Sequence, residues 1–307
     1  MYLNFFLKRF GQMIIVLFLV SIIAFSLIRI APGNPALMLV EDGASEESIQ
    51  KMEEYLGLDK PLTEQYLIYM GNLLRGDFGT SITYKLPCIE LIAARMGATL
   101  TLAIFTVMVT IIIAFPMGIL AGIKQGTAAD VFAMLFALVG QSMSNIWLAM
   151  LLIYVFATKI NVLPAYGYGQ LKNIILPAIT MGYPTAAQVT RMLRSGMIDT
   201  LREDHITATR AKGIPEREIN FKYALRNALI PVVLMLGLQF GHLIGGALVV
   251  EQVFSWPGLG ALTVQAINTR DYPLIQSILI IVSFLFVFMT IVVDFINKLV
   301  DPRMTLN

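Results

Sequence analysis

REDHITATRAKGIPEREINFKYALRNALIP, residues 202–231, is a charged stretch set between apolar runs long enough to cross a bilayer. Arg202, Arg210, Lys212, Arg217, Lys222 and Arg226 alternate in it with Glu203, Asp204, Glu216 and Glu218. Its first half reads as a short helix. Glu203 and Asp204 fall in the first turn and Arg210 and Lys212 in the last, the polarity that a helix macrodipole favours. Gly213 occupies the position just past the end, and Pro215 forbids continuation. A second helix is expected from about Glu216, with Ile219 and Tyr223 on one stripe. Ala208 and Ala211, three apart, share a face of the first helix that would let another surface approach its backbone closely. Two readings fit: a rod presented to a protein partner, or an amphipathic loop lying on anionic lipid.

Composition supplies the setting. The 307 residues are 57% hydrophobic and 14% charged. Soluble globules carry roughly a quarter charged residues. The apolar residues come in blocks that are apolar on all faces, which indicates spanning helices and not the alternating strands of a barrel. A net charge of +2 gives no footprint for nucleic acid. The single Cys88 excludes an internal disulfide and a CxxC metal site, and no metal ligand set is expected. The fold class is all-α, a polytopic membrane protein with six spans at about 10–30, 98–121, 131–158, 174–194, 228–250 and 277–298. The first span is read as retained and not as a cleaved leader, because it is long enough to cross and lacks a small-residue cleavage site. Arg29 at its outer end can snorkel to the interface.

Both termini are placed inside. That arrangement puts thirteen Lys and Arg on the inner segments against eight outside, five of them in the 67-residue segment 31–97, too long to count fully. The domain plan is a first span over 1–30, a partly helical outer segment over 31–97, a five-span core over 98–299 with the charged loop at 195–227, and an inner tail over 300–307. In the outer segment Pro32-Gly33-Asn34-Pro35 breaks the chain and 45–56 suits a helix. A further helix starts near Asp59 and Pro61, carries Leu62, Tyr66, Tyr69 and Leu73 at helical spacing, and stops at Gly76. The segment is either a cap over the outer mouth, a docking surface for a soluble partner, or both.

Polar residues at bilayer depth face protein or water. Gln141, Ser142 and Asn145 interrupt span three, Gln188 lies on span four, and Gln239 and His242 lie on span five. They are candidates either for a substrate path or for interhelical hydrogen bonds. Gly237, Gly241 and Gly245 give span five a small-residue face for close helix crossing.

Arg210-Ala211-Lys212-Gly213, preceded by Thr207-Ala208-Thr209, resembles the EAA loop of ABC importer permeases, with Thr207 where that family has its Glu and Thr209 where it has its second Ala. The longer spacing to Pro231 and the sequence Leu225-Arg226-Asn227-Ala228-Leu229-Ile230-Pro231 are similar to the peptide/nickel branch. Pro32-Gly33-Asn34-Pro35-Ala36, Leu56 to Leu62, Gly76-Asp77-Phe78-Gly79-Thr80-Ser81, Glu251 to Gly260 and Arg270-Asp271-Tyr272-Pro273 resemble further motifs of that branch, in the right order. Pro164 to Gly169 is lightly similar to nickel-type members.

The resemblance implies a permease subunit, not catalytic by itself, in a bacterial cytoplasmic membrane. It implies four kinds of neighbour: a homologous second permease, two ABC ATPase subunits, an extracytoplasmic solute-binding protein and lipid. ATP and Mg would be held by the ATPases, since the chain has no GxxxxGK[ST] loop. Arg202, Glu203, Asp204, Thr207, Ala208, Arg210, Ala211, Lys212 and Gly213 would then form the coupling helix. Short peptides are the expected cargo, with glutathione or nickel complexes as alternatives. An ion-coupled carrier would place a carboxylate deep in a span. Here Asp130 and Asp294 lie near span ends. A purely structural membrane subunit is a further alternative. An intramembrane protease would need motifs such as HExxH or Gly-x-Ser-x-Gly, which are lacking.

Overall fold

The computed structural model describes residues 2–30, 45, 47 and 60–300. The break at Pro32–Pro35, the helix expected over 45–56 and the tail 301–307 lie outside them, as does the Arg29 side chain. Among the described residues there is no strand beyond one isolated bridge, Thr80 to Pro87. The helices are α1 (Tyr2–Ile30), α2 (Leu62–Leu74), α3 (Cys88–Ile123), α4 (Ala128–Ser142), α5 (Asn145–Leu152, prolonged by a π-helical stretch over Ile153–Lys159), α6 (Leu171–Leu201) and α7 (Asp204–Ala211). Then follow α8, which starts as Glu216–Glu218, widens into a π-helical stretch over Ile219–Ala224 and continues as Leu225–Gly246, α9 (Leu248–Val253), α10 (Leu259–Asn268) and α11 (Tyr272–Val300).

Among the described residues, four helical segments are long and apolar enough to cross a membrane: Arg9–Ser26, Cys88–Ile123, Glu216–Gly245 and Tyr272–Ile296. A fifth is added if α4 and the α5 pair, bent by 106° at the Met143-Ser144 break, count as one span. That break is the polar interruption seen in the sequence, and the Ser144 side chain accepts from the Ile146 N–H to restart the helix. The expected fourth span corresponds to α6, which is not apolar enough to join that set. The reason lies in its surroundings. α6 packs against α4, α5, α8 and α9, so protein covers much of it. It can bury Thr180 and Thr185, whose hydroxyls donate to Leu176 O and Met181 O one turn back.

Two element boundaries differ most from expectation. The second span starts at Cys88, ten residues early, because Pro87 and not a residue near 97 ends the outer segment. The helix expected from Glu216 and the span expected from 228 are one continuous α8. Pro231, a helix breaker in water, is accommodated inside α8.

The described chain divides into two compact units. In the first, residues 1–97 with 262–287, α2 lies against α1: Tyr66 Oη is 2.8 Å from Ser21 Oγ and its ring meets Phe25 edge-on at 5.2 Å. Two motifs read separately in the sequence meet here. Buried Asp271 accepts from Ser81 Oγ (2.5 Å), Ile82 N (3.2 Å) and Thr83 N (3.1 Å), and Ser277 Oγ donates to Phe78 O at 2.7 Å.

The second unit, 98–261 with 288–307, holds two apolar clusters around α6. One includes Leu102, Met181, Leu243 and Trp256, and the other Ala114, Leu193, Met197 and Val232. One residue of the small-residue face of α8, Gly237, meets α11 here. A Cβ on Gly237 would stand 2.2 Å from Val293 Cγ2, so the helices touch backbone to side chain. Gly237→Ala should cost roughly 1–3 kcal/mol, the usual penalty for forcing a methyl into a filled core. Thermal unfolding of the detergent-solubilised protein should show the loss, and an unchanged melting temperature would mean that this crossing is loose.

Candidate functional site

The charged stretch that opened the reading folds into a short exposed rod. α6 ends at Leu201, and Arg202 caps it with its N–H toward Asp199 O and Thr200 O while its guanidinium donates to Gln125 Oε1 at 3.1 Å. Glu203 then takes an extended conformation as the cap of α7, and its carbonyl accepts from the Ile206 and Thr207 N–H groups at 3.0 and 3.3 Å. His205 Nδ1 lies 2.9 Å from Glu203 Oε2. Asp204 stands in the first turn, as the macrodipole favours.

At the other end the Lys212 N–H reaches Ala208 O and the Gly213 N–H reaches Arg210 O. Gly213 has φ +76°, the left-handed turn expected after a helix end. No atom stands within 4 Å of where its Cβ would be, so backbone conformation alone calls for glycine there.

Three features of the rod were not visible in the motif. Ile206, its one large apolar side chain, is wholly buried, and α7 packs on the π-helical stretch that carries wholly buried Ile219. Arg210 does not project freely. Its Nε and Nη2 donate to Glu216 Oε1 and Oε2 at 2.5 and 3.3 Å, fastening α7 to the base of α8 across the Gly213–Pro215 turn. Those hydrogen bonds push Arg210 above its ordinary pKa, but with both side chains half exposed water screens the pair and it adds little stability. Thr207, Ala208, Ala211 and Lys212 remain as the exposed face, and Lys212 has no partner among the described residues.

The path candidates are only partly brought together. Gln188 on α6 and Gln239 on α8 meet, Nε2 of Gln239 donating to Gln188 Oε1 at 3.4 Å. Gln141, Ser142 and Asn145 gather at the bend between α4 and α5 and are exposed, with Ser142 Oγ donating to Leu138 O. His242 is exposed on α8.

A second built feature lies at the far end of α8. Glu251, wholly buried on α9, accepts from Thr99 Oγ1 at 2.8 Å and from the Ala261 N–H at 2.9 Å, while Thr99 Oγ1 in turn accepts from the Leu259 N–H at 2.8 Å. The carboxylate therefore sits on the start of α10. Trp256 Nε1 donates to Ala98 O at 2.9 Å and its ring meets Tyr168 edge-on at 4.9 Å, joining the Glu251–Gly260 motif to the Pro164–Gly169 stretch. Sequence reading named both motifs, Glu251 included, but not the contacts by which that carboxylate organises them.

Comparison with known proteins gives a family. A model described as binding-protein-dependent transport system inner membrane component matches residues 114–306, and one for the N-terminal part of such membrane components matches residues 2–119. A dipeptide transport system permease protein of Alkalihalophilus pseudofirmus is 38% identical over 97% of this chain and 98% of its own. A glutathione transport system permease protein of Escherichia coli is 39% identical over 98% of both chains. Among solved structures, the inward-facing MetNI methionine ABC transporter matches with a TM-score of 0.58 at 18% identity, over 69% of this chain and 97% of that one. An amino acid ABC transporter crystallised with histidines matches at 0.52 and 16%, over 70% and 95%. These two establish the fold alone. Matched over its membrane core and along nearly the full length of its relatives, the chain belongs to the binding-protein-dependent transport system inner membrane component family.

Proposed function

We propose that the chain is a permease subunit of an ATP-driven importer that moves short peptides inward across a bacterial cytoplasmic membrane. It works beside a homologous second permease, two ATPase subunits and an extracytoplasmic binding protein. Both termini face the cytoplasm, α6 counts as a sixth crossing shielded by its neighbours, and ATP and Mg reside on the ATPases. The proposal of short peptides follows the names of the relatives, which carry dipeptides and glutathione, itself a short peptide.

The observation that carries the mechanism is α7: a rod of eight residues with its outer face free, capped at both ends, anchored through one buried isoleucine and tied by Arg210 to the base of α8. Movement of the ATPases acts on Thr207, Ala208, Ala211 and Lys212. The rod passes it to α6, joined to it by the short Arg202-Glu203 turn, and to α8. Rigid-body tilting of those helices then exposes the Gln188–Gln239 region to one side and then the other.

The test is Gly213→Pro in the reconstituted complex. Proline's φ near −65° cannot adopt the +76° turn, and the Gly213 N–H bond to Arg210 O is lost. Transport should vanish while membrane insertion is normal, and a normally transporting variant would refute α7 as the lever. Uptake that survives loss of the ATPases' phosphate-loop lysines would favour an ion-coupled carrier instead.

A further inference from the structure

α4 and α6 carry their charges at one level. On α4, Asp130 is followed by nine apolar residues, Val131 to Val139. On α6, the uncharged run from Ile174 to Thr190 ends at Arg191 and Arg194. Both helices thus switch from uncharged to charged at the same height, as where a bilayer's hydrocarbon meets its headgroups. Arg194 is engaged: its Nε and Nη2 donate to the two oxygens of nearly buried Asp130 at 2.5 and 2.8 Å, and the Gly126 N–H completes that carboxylate at 2.9 Å. Arg191, three residues earlier, is exposed and has no partner among the described residues.

Between the helices runs an open groove of about 380 Å³. Arg191, Arg194 and Asp130 form its charged end, with one positive charge in excess, and Val131, Leu135 and Leu138 line its wall. Those three aliphatic side chains are each more than half exposed.

We propose that this groove binds an anionic phospholipid, its phosphate on the Arg191 guanidinium and an acyl chain along Val131, Leu135 and Leu138. The order of the lining, guanidinium and then aliphatic wall, is the order of a phospholipid. An unpaired guanidinium suits a phosphate bidentately, and the excess positive charge selects a headgroup of net negative charge over a zwitterionic one. Assignment to the cytoplasmic leaflet rests on the orientation proposed above, whereas the site itself requires only that α4 and α6 stand in a membrane.

The experiment is native mass spectrometry of the whole detergent-purified complex, supplied with equal phosphatidylglycerol and phosphatidylethanolamine. Wild type should retain phosphatidylglycerol preferentially. Arg191→Gln should lower that retention about five-fold, the usual worth of one basic residue near an anionic surface, and leave phosphatidylethanolamine unchanged. Leu135→Trp, which fills the wall but keeps the charge, should lower retention of phosphatidylglycerol as well. Unchanged retention in Arg191→Gln, or equal retention of both lipids by wild type, would overturn the proposal. So would an efficient cross-link from Val131→Cys to the second permease, since protein would then fill the groove.

The orientation is read separately with Gln125→Cys and an impermeant maleimide, native Cys88 being buried. Labelling from outside the cell would overturn the cytoplasmic leaflet while leaving the retention result to decide the site.

Discussion

Ile206→Asp should leave the membrane bundle folded and abolish coupled transport. Ile206 is the only large apolar side chain on α7 and is wholly buried, while every other residue from Asp204 to Ala208 is exposed. Emptying a buried isoleucine typically costs roughly 2–5 kcal/mol, and burying an unpaired carboxylate in its place costs more. On the lower figure alone the ratio of docked to undocked rod falls roughly 30-fold. The remaining tie, Arg210 to Glu216, is half exposed and screened by water, too weak to hold the rod. ATP hydrolysis should then continue without substrate movement. The measurement is uptake per ATP hydrolysed in proteoliposomes containing the complete assembly. Ile206→Leu, nearly equal in volume, should restore most of the coupling. A transporting Ile206→Asp protein would mean that force enters α6 and α8 by some route other than α7.

The same contact shows which parts of this fold could be read from sequence. The extent of α7 was legible to within a residue because local chemistry fixes it: acidic residues at its start, and Gly213 followed by Pro215 at its end. α2 was legible for a similar reason, from Pro61 to Gly76. Ile206 carried a faint signal, a lone aliphatic in DHITATRA, but periodicity cannot mark a buried face that holds one residue.

Pairings between distant elements were hidden more completely. Asp130 and Arg194 are 64 residues apart and each reads as an ordinary charge at a span end; only the packing of α4 on α6 makes them one bidentate pair. Arg210 was expected to face a partner, and nothing in its position announces that Glu216, across a glycine turn, engages it. The crossing along α6 was legible as an uncharged run near 174–194, but the packing of its neighbours around it was not. α1, α3 and α11 each hold one long apolar stretch, whereas α6, packed by its neighbours, carries threonines and a glutamine among its apolar residues.

The second large effect lies at the opposite end of α8 and is one of stability. Glu251→Ala should lower the melting temperature of the solubilised protein by roughly 6–12 °C. It removes the acceptor of the Thr99 hydroxyl and of the Ala261 N–H, and it empties a site whose side chain is wholly buried. Buried donors left unsatisfied cost about 1–3 kcal/mol each, so about 3 kcal/mol is a reasonable sum, and each kcal/mol corresponds to roughly 2–4 °C in a chain of this size. Glu251→Gln should lose less, because an amide can keep its oxygen toward Ala261 and turn its NH2 toward Thr99, leaving one hydroxyl proton without an acceptor.

Gly258→Ala tests the same contact from the other side. Its Cβ would stand 2.1 Å from Glu251 Oε1, so the carboxylate must leave its cradle, and the loss should be at least that of Glu251→Gln. Equal and small effects for all three variants would show that the start of α10 is held by Trp256 and its bond to Ala98 instead. The contrast with Ile206 is what gives both experiments their value. One substitution should uncouple a protein that melts normally, and the other should weaken the protein without touching the proposed lever α7.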